Sequence, residues 1–170
     1  MTVVGVISDT HGLLRPEALR ALAGCAHIIH GGDIGNAAIL ATLASHAPVT
    51  AVRGNNDRDA WAASIGEAER LQIEDISIHV LHDVTQLGFD PARRGIRVVV
   101  SGHSHQPRIG ELNGVVYLNP GSAGPRRFRL PVTLARMTIA GDGIDVRVID
   151  LVSMREFCTP WISTASTTSS

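Results

Sequence analysis

The chain has 170 residues, which fits one domain with a core large enough to need no disulfide or metal staple. At 44% hydrophobic and 18% charged it is not a disordered chain, and a net charge of −1 with 4% aromatic residues disfavours a nucleic-acid surface. All 15 basic residues are Arg, which excludes Lys-dependent chemistry such as a Schiff base or a P-loop phosphate site.

Thr2–Ile7 is a β-branched apolar run and predicts a buried strand. Pro16 opens a predicted helix over 17–22. A second strand is predicted over 26–30, and Asn36 is a plausible N-cap for a helix over Ala37–Ala44. A third strand spans 49–52, and Trp61 is placed on a further helix. Segments 70–73 and 77–81 pair across Asp75. Ile96–Val100 is a strong buried strand. A strand over 115–118 follows an Asn113-Gly114 turn that signals a hairpin. Strands over 132–139 and 144–149 form another, joined by Gly141-Asp142-Gly143. The pattern predicts a single α/β domain over 1–158 with mixed sheets, followed by a Ser/Thr-rich tail over 159–170. Cys25 and Cys158 have no CxxC spacing, so a disulfide framework and a Cys-based zinc site are excluded, and Cys25 reads as inert core. No basic leader or membrane-length apolar run is visible, so the expected location is cytoplasmic, with no membrane partner.

The chemistry follows the strands. Asp9-Thr10-His11 comes after the first, Gly31-Gly32-Asp33 after the second and Gly54-Asn55-Asn56-Asp57 after the third. His82-Asp83 follows segment 77–81, and Gly102-His103-Ser104-His105 follows Ile96–Val100. The C-terminal ends of strands are where α/β sheets place ligands. Asp9, Asp33 and Asn55 offer oxygen, and His11, His82, His103 and His105 offer imidazole nitrogen. Such a set suits Mn²⁺, Fe²⁺, Zn²⁺, Ni²⁺ or Co²⁺ better than Ca²⁺ or Mg²⁺. Seven donors are too many for one ion with an open position, and enough for two that share a carboxylate.

The ordered blocks Ser8-Asp9-Thr10-His11, Gly32-Asp33, Gly54-Asn55-Asn56-Asp57, His82 and Gly102-His103-Ser104-His105, with a trailing Asn119-Pro120-Gly121-Ser122, resemble the calcineurin-like metallophosphoesterases. The likeness is to their small bacterial and archaeal phosphodiesterase branch and covers roughly residues 2–150. It implies two mixed β-sheets packed face to face with helices outside. It also implies two divalent ions, with Mn²⁺ expected. Asp9, His11, Asp33 and His105 would hold the first ion. Asp33 would bridge, and Asn55, His82 and His103 would complete the second, which makes Asp33 and His103 candidate catalytic residues. The implied activity is phosphodiester hydrolysis by a metal-bridging hydroxide, on a small diester substrate. A phosphomonoesterase or protein phosphatase is an alternative. So is a non-catalytic interaction scaffold of the same fold, such as the family's retromer subunit. A homo-oligomer remains open.

Two positions depart from the family pattern. Asn56 stands where many members have a His read as assisting the leaving group. Asn56 can still bind substrate, but an amide cannot donate a full proton at neutral pH. Asp83 replaces a common Gly and is either a hydrogen-bond acceptor for a ligand His or a solvated turn residue. Arg126 is a candidate for binding a phosphate oxygen, against a structural salt bridge or a solvated Arg. His27, His46 and His79 read as ordinary surface or strand histidines. His30 reads as a packed strand-end residue beside the site, and Asp57 as a residue that orients the loop.

Overall fold

The computed structural model describes residues 1–157 and the backbone strand at 161–163. Cys158 and the Ser/Thr tract from 164 onward lie outside the described residues.

β-Branched runs build two six-stranded sheets. The first comprises β1 (Thr2–Ile7), β2 (His27–His30), β3 (Val49–Ala51), β9 (Thr133–Ala140), β10 (Gly143–Asp150) and β11 (Arg155–Phe157), in the order β11-β10-β9-β1-β2-β3. The second comprises β4 (Ala68–Ile73), β5 (Ile76–Leu81), β6 (Ile96–Val100), β7 (Arg108–Leu112), β8 (Val115–Asn119) and β12 (Trp161–Ser163), in the order β12-β7-β8-β6-β5-β4. β1, β2 and β3 run parallel, as do β5, β6 and β8. Antiparallel hairpins β9–β10, β4–β5 and β7–β8 fill out the two sheets. Both sheets are therefore mixed, as expected.

Alternation along each strand makes two layers from one sequence. Val4, Val6 and Ile29 of the first sheet meet Ile78, Val80, Val98, Val100 and Leu118 of the second, all buried. On the other face of the first sheet, Ile7 and Ile28 pack beneath two helices. These are α1 (Pro16–Leu22) and α2 (Ala37–Ala44), which contribute Leu22, Ile39 and Leu43. Asn36 caps α2 by accepting from the Ile39 N–H at 3.2 Å. The outer face of the second sheet has no such cover. Among the described residues it carries only the single-turn 3₁₀ segments Val84–Gln86 and Ala92–Arg94.

Three strands go beyond the sequence reading. β7 is the unassigned partner of the hairpin signalled by Asn113-Gly114. β11 and β12 are three-residue edge strands. β12 lies within the stretch expected as tail and runs parallel to β7. Trp61 sits on a single 3₁₀ turn, Ala60–Ala62, rather than on a longer helix, and packs against the helix-side core. Among the described residues, no helix is long and apolar enough to cross a membrane.

Candidate metal centre

The parallel strands of both sheets deliver their C-terminal ends to one place. Asp9 and His11 leave β1, Asp33 leaves β2 and Asn55 follows β3. His82 leaves β5, and His103 and His105 leave β6. All seven candidate ligands converge there.

Two donor groups meet at the Asp9 and Asp33 carboxylates. In the first, His11 Nε2 and His105 Nε2 lie 3.2 Å apart, and His105 Nε2 is 3.3 Å from Asp9 Oδ1. His11 Nε2 is 3.7 Å from both Asp9 Oδ1 and Asp33 Oδ2. In the second, His82 Nε2 is 3.3 Å from Asp33 Oδ2. His103 Nδ1 lies 3.3 Å from His82 Nε2 and 3.2 Å from Asn55 Oδ1. Asp33 thus faces both groups.

This set fits divalent ions. Asp9 Oδ1 is buried and accepts no hydrogen bond among the described residues, a costly state for an ionised oxygen. His82 Nδ1 lies 2.7 Å from the Gly31 carbonyl; its N–H donates there, which leaves the Nε2 lone pair aimed inward when the ring is neutral. Two pairs of ring nitrogens that face each other at 3.2–3.3 Å repel unless a proton or cation lies between them. Asp9, His11 and His105 form one group of ligand atoms close enough to share an ion, and Asp9, Asp33 and His82 another.

The carboxylates are held ionised. Burial alone would raise Asp9, but the facing His105 and His11 imidazoles and the Ser8 hydroxyl outweigh it and hold the carboxyl well below its usual range. Burial also opposes ionisation of Asp33. His82 and the Asn56 backbone N–H win, and its pKa falls to about 2. His82 moves the other way. Burial would lower it, but Asp33 and the Gly31 carbonyl raise it.

A supporting shell fixes these groups. Ser8 Oγ donates to Asp9 Oδ2 at 2.6 Å, and the His103 N–H donates to the same oxygen at 3.1 Å. Asp57 is buried and accepts from the N–H groups of Ile34, Gly35 and Gly54, each at 3.0 Å. It ties the β2 loop to the β3 loop, the orienting role expected for it. Asn119 donates to the Gly102 carbonyl at 2.8 Å and to Ser104 Oγ at 3.0 Å, which holds the β6 loop to β8. Ser122 Oγ donates to the Asp9 carbonyl at 3.0 Å. Sequence reasoning assigned no role to Ser8, Asn119 or Ser122. The only signal was their position inside the motif blocks.

Two glycines are required by contact. A Cβ on Gly54 would collide with the Asp33 backbone nitrogen and carboxylate, and one on Gly102 with Ser8 Oγ and Asp9 Oδ2.

The remaining candidates sort themselves. Asn56 faces Asp33: its backbone N–H donates to Oδ1 and its amide to Oδ2, each at 2.9 Å. Asp83 accepts from the Thr85 N–H and hydroxyl, and its other oxygen stands 3.9 Å from His103 Nε2. Arg126 is exposed on the loop after Gly124. His30 is fully buried behind the site. Its Nδ1 accepts from the Gly32 N–H at 3.1 Å. Its Nε2 lies 3.0 Å from Thr10 Oγ1, whose own proton goes to the Ile34 carbonyl, so Nε2 is the donor. Burial lowers its pKa to about 4 despite the nearby Asp9 and Asp57, so the ring is neutral. His27 bonds Thr50 and His79 edges onto Phe89, away from the centre.

Residues 1–142 match the calcineurin-like phosphoesterase superfamily domain. The chain belongs to that superfamily. The chain is 35% identical over 159 residues to a probable metallophosphoesterase of Methanothermobacter thermautotrophicus, covering 86% of this chain and 91% of that one. It is 27% identical over 137 residues to a phosphodiesterase of Methanocaldococcus jannaschii, covering 69% and 82%. Its fold is similar to the vacuolar protein sorting 29 structure from Cryptosporidium parvum, with a TM-score of 0.78 at 22% identity, over 92% and 94% of the two chains.

Proposed function

We propose that this protein is a two-metal phosphodiesterase that acts on small diesters in the cytoplasm. The observation that carries the reading is the carboxylate pair between the two histidine groups: Asp33 Oδ2 lies 3.7 Å from His11 Nε2 and 3.3 Å from His82 Nε2, and Asp9 belongs to both sets of ligand atoms. The relationship to the Methanocaldococcus phosphodiesterase supports the diester preference.

Asp9, His11, Asp33 and His105 would hold one ion, and Asp33, Asn55, His82 and His103 the other. The donor set without thiolate favours Mn²⁺, with Ni²⁺, Co²⁺, Fe²⁺ or Zn²⁺ as alternatives. Bound there, the ions would supply a nucleophile at neutral pH and neutralise charge on the phosphoryl oxygens. The chain's residues do the rest. Asn56 pins the Asp33 carboxylate through two hydrogen bonds, so its orientation is set before substrate arrives. Ser8 and the His103 N–H turn Asp9 Oδ1 toward His105 and His11 by occupying Oδ2. Asp83 stands beside His103 Nε2 and favours that nitrogen as the protonated one, leaving Nδ1 to face inward. Neither candidate for an acid can serve the leaving group: Asn56 is an amide, and His30 is buried, neutral and engaged through both ring nitrogens. That lack favours diesters with good leaving groups over monoesters.

The test is a substrate panel on chelated protein with and without added Mn²⁺, using bis(p-nitrophenyl) phosphate, p-nitrophenyl phosphate and cyclic nucleotides. The expected result is Mn²⁺-dependent turnover with the aryl diester preferred. Full turnover in excess chelator, or preference for the monoester, would contradict it. A scaffold of the same fold would show neither turnover nor a stoichiometric pair of metals.

A further inference from the structure

The outer face of the second sheet carries a groove of about 770 Å³ that opens onto the metal centre. The 83–91 strap walls it on one side, and the neighbouring strands β7 and β8 form its floor. Gly102, His103, Ser104 and Asn119 line the end at the centre, and Asn113 and Val115 the far end. Val115 to Asn119, the five residues of β8, span the two ends, about 13 Å at ordinary strand rise.

We infer that this groove receives the organic group of the diester that stays on phosphorus, and that it selects an uncharged aromatic group. The inference rests on the phosphodiesterase reading and names its substrate class. Continuity decides the occupant. His103 belongs to the second donor group and also lines the groove, so a molecule whose phosphate sits at the metals has one ester arm beside its mouth.

The lining decides the chemistry. Tyr117 lies two residues down β8 from Asn119, about 7 Å at ordinary strand rise. Phe89 and Leu87 pack with Tyr117 on the buried residues Leu81, Val99 and Val115. The Phe89 ring is held in place: the Arg94 guanidinium covers it at 4.0 Å, and His79 meets it edge to face with centroids 5.1 Å apart. A rigid aromatic wall binds a flat partner with little ordering cost. Burial and the nearby Asp90 raise the Tyr117 phenol, so the floor stays uncharged at neutral pH. Arg108 pairs with Asn119 across β7 and β8 and lines the mouth, which suits the single negative charge of a diester.

The experiment keeps the leaving group constant and varies the other arm. Methyl p-nitrophenyl phosphate and phenyl p-nitrophenyl phosphate are compared with Mn²⁺ present, in wild type, Phe89→Ala and Tyr117→Leu. Wild type is expected to favour the phenyl ester by about 10-fold in kcat/KM, mainly through KM. Each variant should bring that ratio close to one, with the loss falling on the phenyl ester. Tyr117→Leu keeps the floor apolar, so it tests the ring even if Phe89→Ala unfolds the strap. Calorimetry with methyl phenylphosphonate and dimethyl phosphate on Mn²⁺-loaded protein reads the groove without turnover. Turnover of both esters at equal efficiency in wild type would overturn the groove and leave the diesterase standing. Phenyl-selective binding without turnover of either ester would overturn the diesterase and leave the groove standing.

Discussion

At the scale of single residues, two side chains carry distinguishable consequences. His30 is neutral inside the fold, with a pKa of about 4 against 6.5 for a free side chain. The unfolded chain therefore binds the proton more readily. His30's contribution is complete above about pH 6.5 and is lost as pH falls toward 4. Between pH 7 and pH 5 the loss is about 2 kcal/mol. In urea titrations of chelated protein, His30→Asn should be less pH-sensitive than wild type by about that amount over this window. Identical slopes would contradict the buried neutral ring. Asn56 bears on catalysis instead. Without a proton donor, the rate should fall steeply as the leaving group becomes more basic. Asn56→His should flatten a plot of log kcat/KM against leaving-group pKa, gaining about 10²-fold on poor leaving groups if the imidazole reaches the leaving oxygen. A shallow wild-type slope would show that a donor exists elsewhere.

At the scale of elements, the turns after β1, β2 and β6 hold their ligands in strained backbone. Asp9, His11, Asp33, His103 and His105 all have positive φ, between 45° and 69°, and make up most of the non-glycine residues with positive φ among those described. Each such residue costs roughly 1–2 kcal/mol relative to glycine-compatible geometry. The strain turns the chain back so that two ligands from one short loop face the same centre. His103 is the cleanest probe, since its side chain is 48% exposed. In metal-free protein, His103→Gly should be more stable than His103→Ala by about 1 kcal/mol, read from denaturant midpoints. Equal midpoints would mean that the turn stores no strain.

The candidate ligands were legible in the sequence because each follows a β-branched run, and the run itself reports the strand. The same signal fails for β7. Arg108–Leu112 buries only Ile109, so its pattern is too weak to stand alone. β11 and β12 are too short to show a period. The site was legible in identity but not in orientation. Nothing in Gly54-Asn55-Asn56-Asp57 tells that one amide faces His103 and the next faces Asp33. Nor does the spacing show that Asn119 pins the β6 loop across two strands.

At the scale of the whole molecule, the two sheets do different work. The first has its outer face sealed by helices and presents Asp9, His11, Asp33 and Asn55. The second presents His82, His103 and His105, and its outer face is open enough to hold a groove. The candidate metal centre sits where the parallel ends of both sheets meet, so it depends on their packing as much as on either loop. Asp9 and Asp33 both lie between the two donor groups, and Asp33 Oδ2 stands 3.7 Å from His11 Nε2 and 3.3 Å from His82 Nε2, which makes its carboxylate the candidate bridge. Metal content per chain after Mn²⁺ loading and gel filtration is the direct measurement, on wild type and Asp33→Asn, with folding checked by circular dichroism. Wild type should carry two ions per chain, and folded Asp33→Asn should lose both, because a neutral amide bridges poorly and each site loses its shared charge. One ion in wild type, or two retained in Asp33→Asn, would contradict the shared-carboxylate centre.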